Sequence, residues 1–66
     1  MKATVNGCLR DFPDELTVGA LLEMLGSARN GVAVAQNDRI VRREEYDRRH
    51  VREGDRVEII EAVAGG

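Results

Sequence analysis

The chain has no tryptophan, one cysteine, one proline, one tyrosine and one phenylalanine among its 66 residues. Each scarcity excludes something. With Cys8 alone there is no disulfide framework and no cysteine-rich metal site. So few aromatic rings make a poor platform for stacking bases, and a net charge of −2 argues against a general nucleic-acid binder. No apolar run is long enough to span a bilayer, and the start, Met1-Lys2-Ala3-Thr4-Val5, lacks the apolar block of a signal peptide. A cytoplasmic protein with no membrane partner is therefore expected. A chain of this length has room for one domain with one small core, too small for a complete catalytic cleft of its own. His50 has no second histidine or cysteine at ligand spacing, and nothing along the chain assembles a nucleophile, a base and an orienting group. No metal, no bound cofactor and no catalytic residue is expected.

What is present suits a soluble globular domain: 42% apolar and 33% charged residues. The stretch from Asp38 to Arg56 looks basic, with arginines at 39, 42, 43, 48, 49, 52 and 56, but Asp38, Glu44, Glu45, Asp47, Glu53 and Asp55 nearly cancel them. It reads as a solvated mixed-charge surface.

Met1 to Asn6 alternates apolar and polar residues with the period of a half-buried strand. Asn6-Gly7 is the pair that best supplies the two positive φ values of a type I′ turn, so a hairpin follows, with Val5 opposite Cys8 and Ala3 opposite Arg10. Cys8 is read as a small hydrophobe facing the core. Pro13 cannot donate to a ladder, which ends the second strand near Phe12 and puts it at a sheet edge. Thr17 is the N-cap of a short helix whose stripe is Val18, Leu21, Leu22 and Leu25, with Gly26 as its left-handed stop. Gly31 to Ala35 reads as a strand, Asn37-Asp38 as a turn and Ile40-Val41 as a short strand. Residues 42 to 50, with Tyr46 the one large side chain, read as a loop holding one irregular helical turn. Gly54-Asp55 turns the chain into a last strand, in which Val57, Ile59, Glu61 and Val63 share one face and Glu58, Ile60 and Ala62 the other.

Hairpin, helix, two short strands, loop and final strand make an α+β domain with one helix on one face of a four- to five-stranded sheet. Residues 1–63 are assigned to that domain and 64–66 to a flexible tail. On the uncovered face Leu9, Ile60 and Ala62 are read as a partner docking patch, with Thr4 beside them and Glu58 and Lys2 at its margin. The tail, Ala64-Gly65-Gly66, extends roughly 10 Å from the sheet, and its last two residues have no Cβ, so it fits a channel too narrow for other side chains.

Asn6-Gly7, Thr17-Val18-x-x-Leu21-Leu22, Val32-Ala33-Val34, Asn37, Ile40-Val41-x-Arg43, Gly54-Asp55-x-Val57-Glu58-Ile59 and the terminal Ala64-Gly65-Gly66 together resemble the ThiS family. These are the sulfur carriers of thiamine thiazole biosynthesis, with a ubiquitin-like β-grasp fold. Arg42 departs from the pattern, standing where a proline is common, as does Ala64, where a third glycine is common. The resemblance implies that Gly66 carries first an adenylate and then a thiocarboxylate, while Gly65 and Ala64 thread into the partners. Those partners would be an E1-like adenylyltransferase (ThiF-type) that uses ATP, a cysteine-desulfurase relay and a thiazole synthase (ThiG-type). Cys8 is set apart from this chemistry. The same pattern also suits the sulfur carrier subunit of molybdopterin synthase, a ubiquitin-like protein modifier, or a β-grasp interaction module with an inert tail.

Overall fold

The computed structural model describes residues 1–61. Two hairpins frame the sheet. Strand β1 (Lys2–Val5) turns at Asn6-Gly7, whose φ values of 49° and 83° are both positive, into β2 (Cys8–Asp11), with Val5 opposite Cys8 and Ala3 opposite Arg10. Strand β3 (Val32–Gln36) turns at Asn37-Asp38, again with both φ values positive, into β4 (Arg39–Val41). The last strand, β5 (Arg56–Glu61), lies between them, giving the order β2-β1-β5-β3-β4. It runs parallel to β1 and antiparallel to β3. The final strand is thus the middle of the sheet, hydrogen-bonded on both sides.

Helix α1 (Val18–Met24) starts where Thr17 accepts the Ala20 N–H on its hydroxyl at 3.1 Å, and Gly26 follows it with a φ of 71°. Val18, Leu21 and Leu22 are fully buried against Ala3, Val5, Val34, Val41 and Val57 on one face of the sheet. Leu25 lies just past the helix and is only half-buried. A seven-residue helix does not hold by itself; this packing, with Phe12, Leu16, Tyr46 and Val51 closing the core, is what holds it.

Two sequence expectations change. Cys8 points to the same side of the sheet as its buried partner Val5 but is exposed instead of buried. All four residues of β2 are exposed, because it is the outermost strand and a helix about 10 Å long does not reach over it. Tyr46, read as part of a charged loop, is 2% exposed and belongs to the core. The loop carrying it, which contains a 3-10 turn at Arg43–Glu45, folds back onto the start of α1. There the Gly19 N–H donates to the Tyr46 carbonyl at 2.8 Å and the Val18 N–H to that of Arg49 at 2.9 Å. These bonds satisfy amides that a helix start leaves without intrahelical partners.

Candidate functional site

The site to be built is the point where β5 leaves the sheet, because the proposed chemistry lies beyond it. Gly66, Gly65, Ala64 and Ala62 fall outside the described residues, as does the 63/64 boundary. The described residues fix how the strand arrives there.

At its base β5 is held by a polar network. Asn37 Oδ1 accepts the Arg56 N–H at 2.9 Å, and Asn37 Nδ2 donates to Asp55 at 3.0 Å. Gln36, itself 8% exposed, donates to Asp55 at 2.7 Å and to the His50 carbonyl at 2.9 Å, and the Arg52 N–H donates to Asp55 at 2.8 Å. Burial pushes the Asp55 carboxyl up, but the hydrogen bonds from Asn37, the Arg52 N–H and Gln36 outweigh it and hold the group below its ordinary range.

Along its length β5 pairs with β3 from Gln36 opposite Val57 to Val32 opposite Glu61. Its pairing with β1 is shorter, Thr4 with Arg56 and Val5 with Val57, because β1 turns away at Asn6. The Asn6 side chain continues that pairing. Its Oδ1 accepts the Ile59 N–H at 2.8 Å and its Nδ2 donates to the Ile59 carbonyl at 3.3 Å. One amide side chain thus stands in for a strand, two residues nearer the tail than the ladder reaches.

The uncovered face follows from the registers, since paired residues point the same way. Ile60 lies opposite Ala33, and Ala35 lies between Glu58 and Ile40. Ile60 at 67% exposed and Ile40 at 69%, with the two alanines between them, form an apolar strip across β5, β3 and β4. Leu9 is also exposed, at 65%, but it sits on β2, with β1 and Thr4 between it and β5. The structure therefore places Leu9 apart from Ile60 and puts Ile40, Ala33 and Ala35 beside Ile60 instead. Those three were missed because Ile40-Val41 are both apolar and show no alternation. The two-residue turn at Asn37-Asp38 was the available signal, since it fixes Ala35 opposite Ile40.

Cys8 shares a shallow depression with Leu25, Ile59 and Glu61, so in space it lies beside the root of the tail and not apart from it. Among the described residues no group of three His, Cys, Asp or Glu side chains is placed to hold a metal ion, and no helix is long and apolar enough to cross a membrane.

Comparison with known proteins gives a consistent picture. The model of the ThiS family matches residues 3–66. A thiazole synthase of Paramagnetospirillum magneticum is 41% identical over 66 residues, which is all of this chain but 20% of that protein. The chain thus spans a fifth of that relative. The sulfur carrier protein ThiS of Escherichia coli is 40% identical over 50 residues, 76% of each chain. The crystal structure of a thiamine biosynthesis protein (ThiS) from Geobacter metallireducens superposes with a TM-score of 0.85 at 35% identity, covering the whole of both chains. The arrangement of five strands and one helix is the ubiquitin-like β-grasp of these neighbours.

Proposed function

The chain belongs to the ThiS family of small sulfur carriers of thiamine biosynthesis, and from that premise we propose that Gly66 is the atom-carrying residue. Its carboxylate, with an ordinary pKa of about 3.3–3.7, is ionised at neutral pH and is a poor electrophile. An E1-like adenylyltransferase activates it by letting the carboxylate attack the α-phosphate of ATP, which releases pyrophosphate and leaves an acyl adenylate. The terminal sulfur of a persulfide supplied by a cysteine-desulfurase relay then attacks the acyl carbon and AMP departs; a thiol reductant cleaves the resulting acyl disulfide, is itself oxidised to a disulfide with the relay thiol, and leaves a glycyl thiocarboxylate. A thiazole synthase takes up that sulfur for the thiazole ring. The carrier contributes no catalytic group. It contributes a strand held still and a tail narrow enough to enter both partners, with Ala64 and Gly65 as the threading residues.

The observation that carries this reading is the extent of the family match, which runs to residue 66 and so includes the Gly65-Gly66 end. The relative in which the matching stretch is part of a thiazole synthase supports the pairing of carrier and synthase. The apolar strip of Ile60, Ala33, Ala35 and Ile40 is the surface proposed to dock the partners.

Intact-mass analysis tests the chemistry. After incubation with a ThiF-type adenylyltransferase, ATP, a cysteine desulfurase, cysteine and a thiol reductant, the chain is expected to gain the mass of one oxygen exchanged for sulfur, on its C-terminal residue. A chain lacking Gly66 should gain none. An unmodified full chain in the presence of demonstrably active partners would overturn the proposal.

A further inference from the structure

We propose that the arginine-lined depression at the base of the sheet is a docking site for an acidic segment of a partner protein. It goes beyond the carrier reading and does not depend on it. The depression, about 430 Å³, is lined by Arg39 of β4, by Arg48, Arg49, Arg52 and His50 of the loop before β5, and by Asp55. Along the chain these arginines are interleaved with acids and the signs cancel. In space they separate: of 10 basic and 12 acidic side chains, the depression takes four and one, leaving 6 and 11 for the rest of the molecule. A domain that is negative as a whole therefore has a positive base.

The pairing pattern gives no structural reason for that concentration. Arg29 and Arg56 are engaged by Asp47 and Asp38. Among the described residues Arg39, Arg48 and Arg52 form no ion pair, and Arg49 has only Glu45 at 3.8 Å. Asp55, the one carboxylate present, already accepts from Asn37, Gln36 and the Arg52 N–H. Four like charges gathered with so few counter-ions repel one another, so the cluster costs stability unless something anionic meets it. The groups are guanidinium forks, which grip carboxylates two bonds at a time.

The rest of the surface selects among anions. A nucleic-acid backbone would meet the remaining negative charge, and Tyr46 and Phe12, the only aromatic residues in the chain, are both buried and unable to stack a base. A small phosphate would find no free buried donor: all four arginines are exposed, and Gln36, the buried polar residue of the lining, already donates to Asp55 and to the His50 carbonyl. An extended acidic segment engages several of them together. The depression also sits where β5 begins, at the opposite end of the strand from its exit, so a partner held there leaves that exit open.

The test is an NMR titration of the full-length chain with a hexaglutamate peptide, read at the arginine Nε–Hε signals. Arg39, Arg48, Arg49 and Arg52 should shift together, with the response shrinking as salt is raised. Arg48→Glu should weaken binding about tenfold, while Arg10→Glu, the same change of charge on β2, should weaken it less than about twofold. Arg39→Glu serves as the second variant if Arg48→Glu fails to fold. Absence of shifts, equal weakening by the base and β2 variants, or a tighter response to tripolyphosphate or to duplex DNA would overturn the proposal. A chain lacking Gly66 should titrate unchanged, which separates this outcome from that of the sulfur chemistry.

Discussion

At its base the final strand is caught by three polar side chains, Gln36, Asn37 and Asp55, and flanked by arginines; toward its exit one asparagine side chain holds it on the β1 side and the neighbouring surface is apolar. The base network is cross-linked, since Gln36, Asn37 and the Arg52 N–H all converge on Asp55, so one substitution there disturbs several bonds. The exit clamp is a single two-way bond to Ile59. The cross-linked polar network therefore lies at one end of β5 and the exposed apolar strip at the other.

The largest expected effect breaks the exit end without touching the base. Ile60→Asp puts a charge into the apolar strip and should weaken binding to the adenylyltransferase by about 2 kcal/mol or more, as loss of a buried contact at the centre of an interface does. Ile60 is exposed in the free protein, so thermal unfolding should be nearly unchanged. Ile40→Asp, on the same strip, should follow it, and Leu9→Asp, two strands from β5, should cost less. If Leu9→Asp equals Ile60→Asp in a binding titration, the strip is drawn wrongly and the patch spans the whole sheet.

Next in size is the base. Asp55→Ala leaves Asn37 Nδ2 and the Arg52 N–H without their acceptor and should destabilise the fold by about 1–3 kcal/mol in chemical denaturation. Thiocarboxylate formation at a temperature where the variant is folded should persist. The same residue sets a pH dependence. Its carboxyl is held below the ordinary value in the folded state, so its contribution is complete above the unfolded pKa of about 3.9 and is lost as pH falls through the lower folded value. Asp11 and Asp47 are lowered in the same direction by Lys2 and Arg29, but on the open surface, where solvent screens most of the effect. Acid titration of stability should thus be shallower in Asp55→Ala. A variant that loses stability on acidification as steeply as the parent chain would show that the network is not where the acid sensitivity lies.

How legible was this in the sequence? The turns were, because Asn6-Gly7 supplies its own φ values, and so was the helix, because Thr17 caps it and Val18, Leu21 and Leu22 keep the 3.6-residue period. The inward side of β5 was readable at Val57 because Val57 and Ile59 alternate with Arg56 and Glu58. Tyr46 was not, since it sits among charges with no period to mark it as buried. The arginines at the base were visible one by one, but only folding separates them from the acids between them. Cys8 misled because its register and its place on an edge strand were both readable, but not that the helix leaves that edge uncovered. At the exit the Gly65-Gly66 end was legible as a pattern, whereas the strip beside Ile60 depended on which way Ile40 faces. The second role of Asn6 was hidden by its first: a turn already accounts for an asparagine before glycine.

That double role makes the smallest prediction the most specific. Asn6→Gly keeps a residue that accepts the φ of 49° and so preserves the turn, while removing the amide that pairs with Ile59. Global stability should fall by only about 0.5–1.5 kcal/mol. The Ile59 N–H, left facing β1 without an acceptor, should exchange with solvent much faster, while the Val57 end of the strand keeps its protection. Hydrogen exchange read residue by residue separates this from general loosening. Equal acceleration at Val57 and Ile59 would mean that the side chain supports the whole sheet; acceleration confined to Ile59 means that the β1 ladder ends at Val57 and that on this side of β5 the asparagine alone carries the pairing on to Ile59.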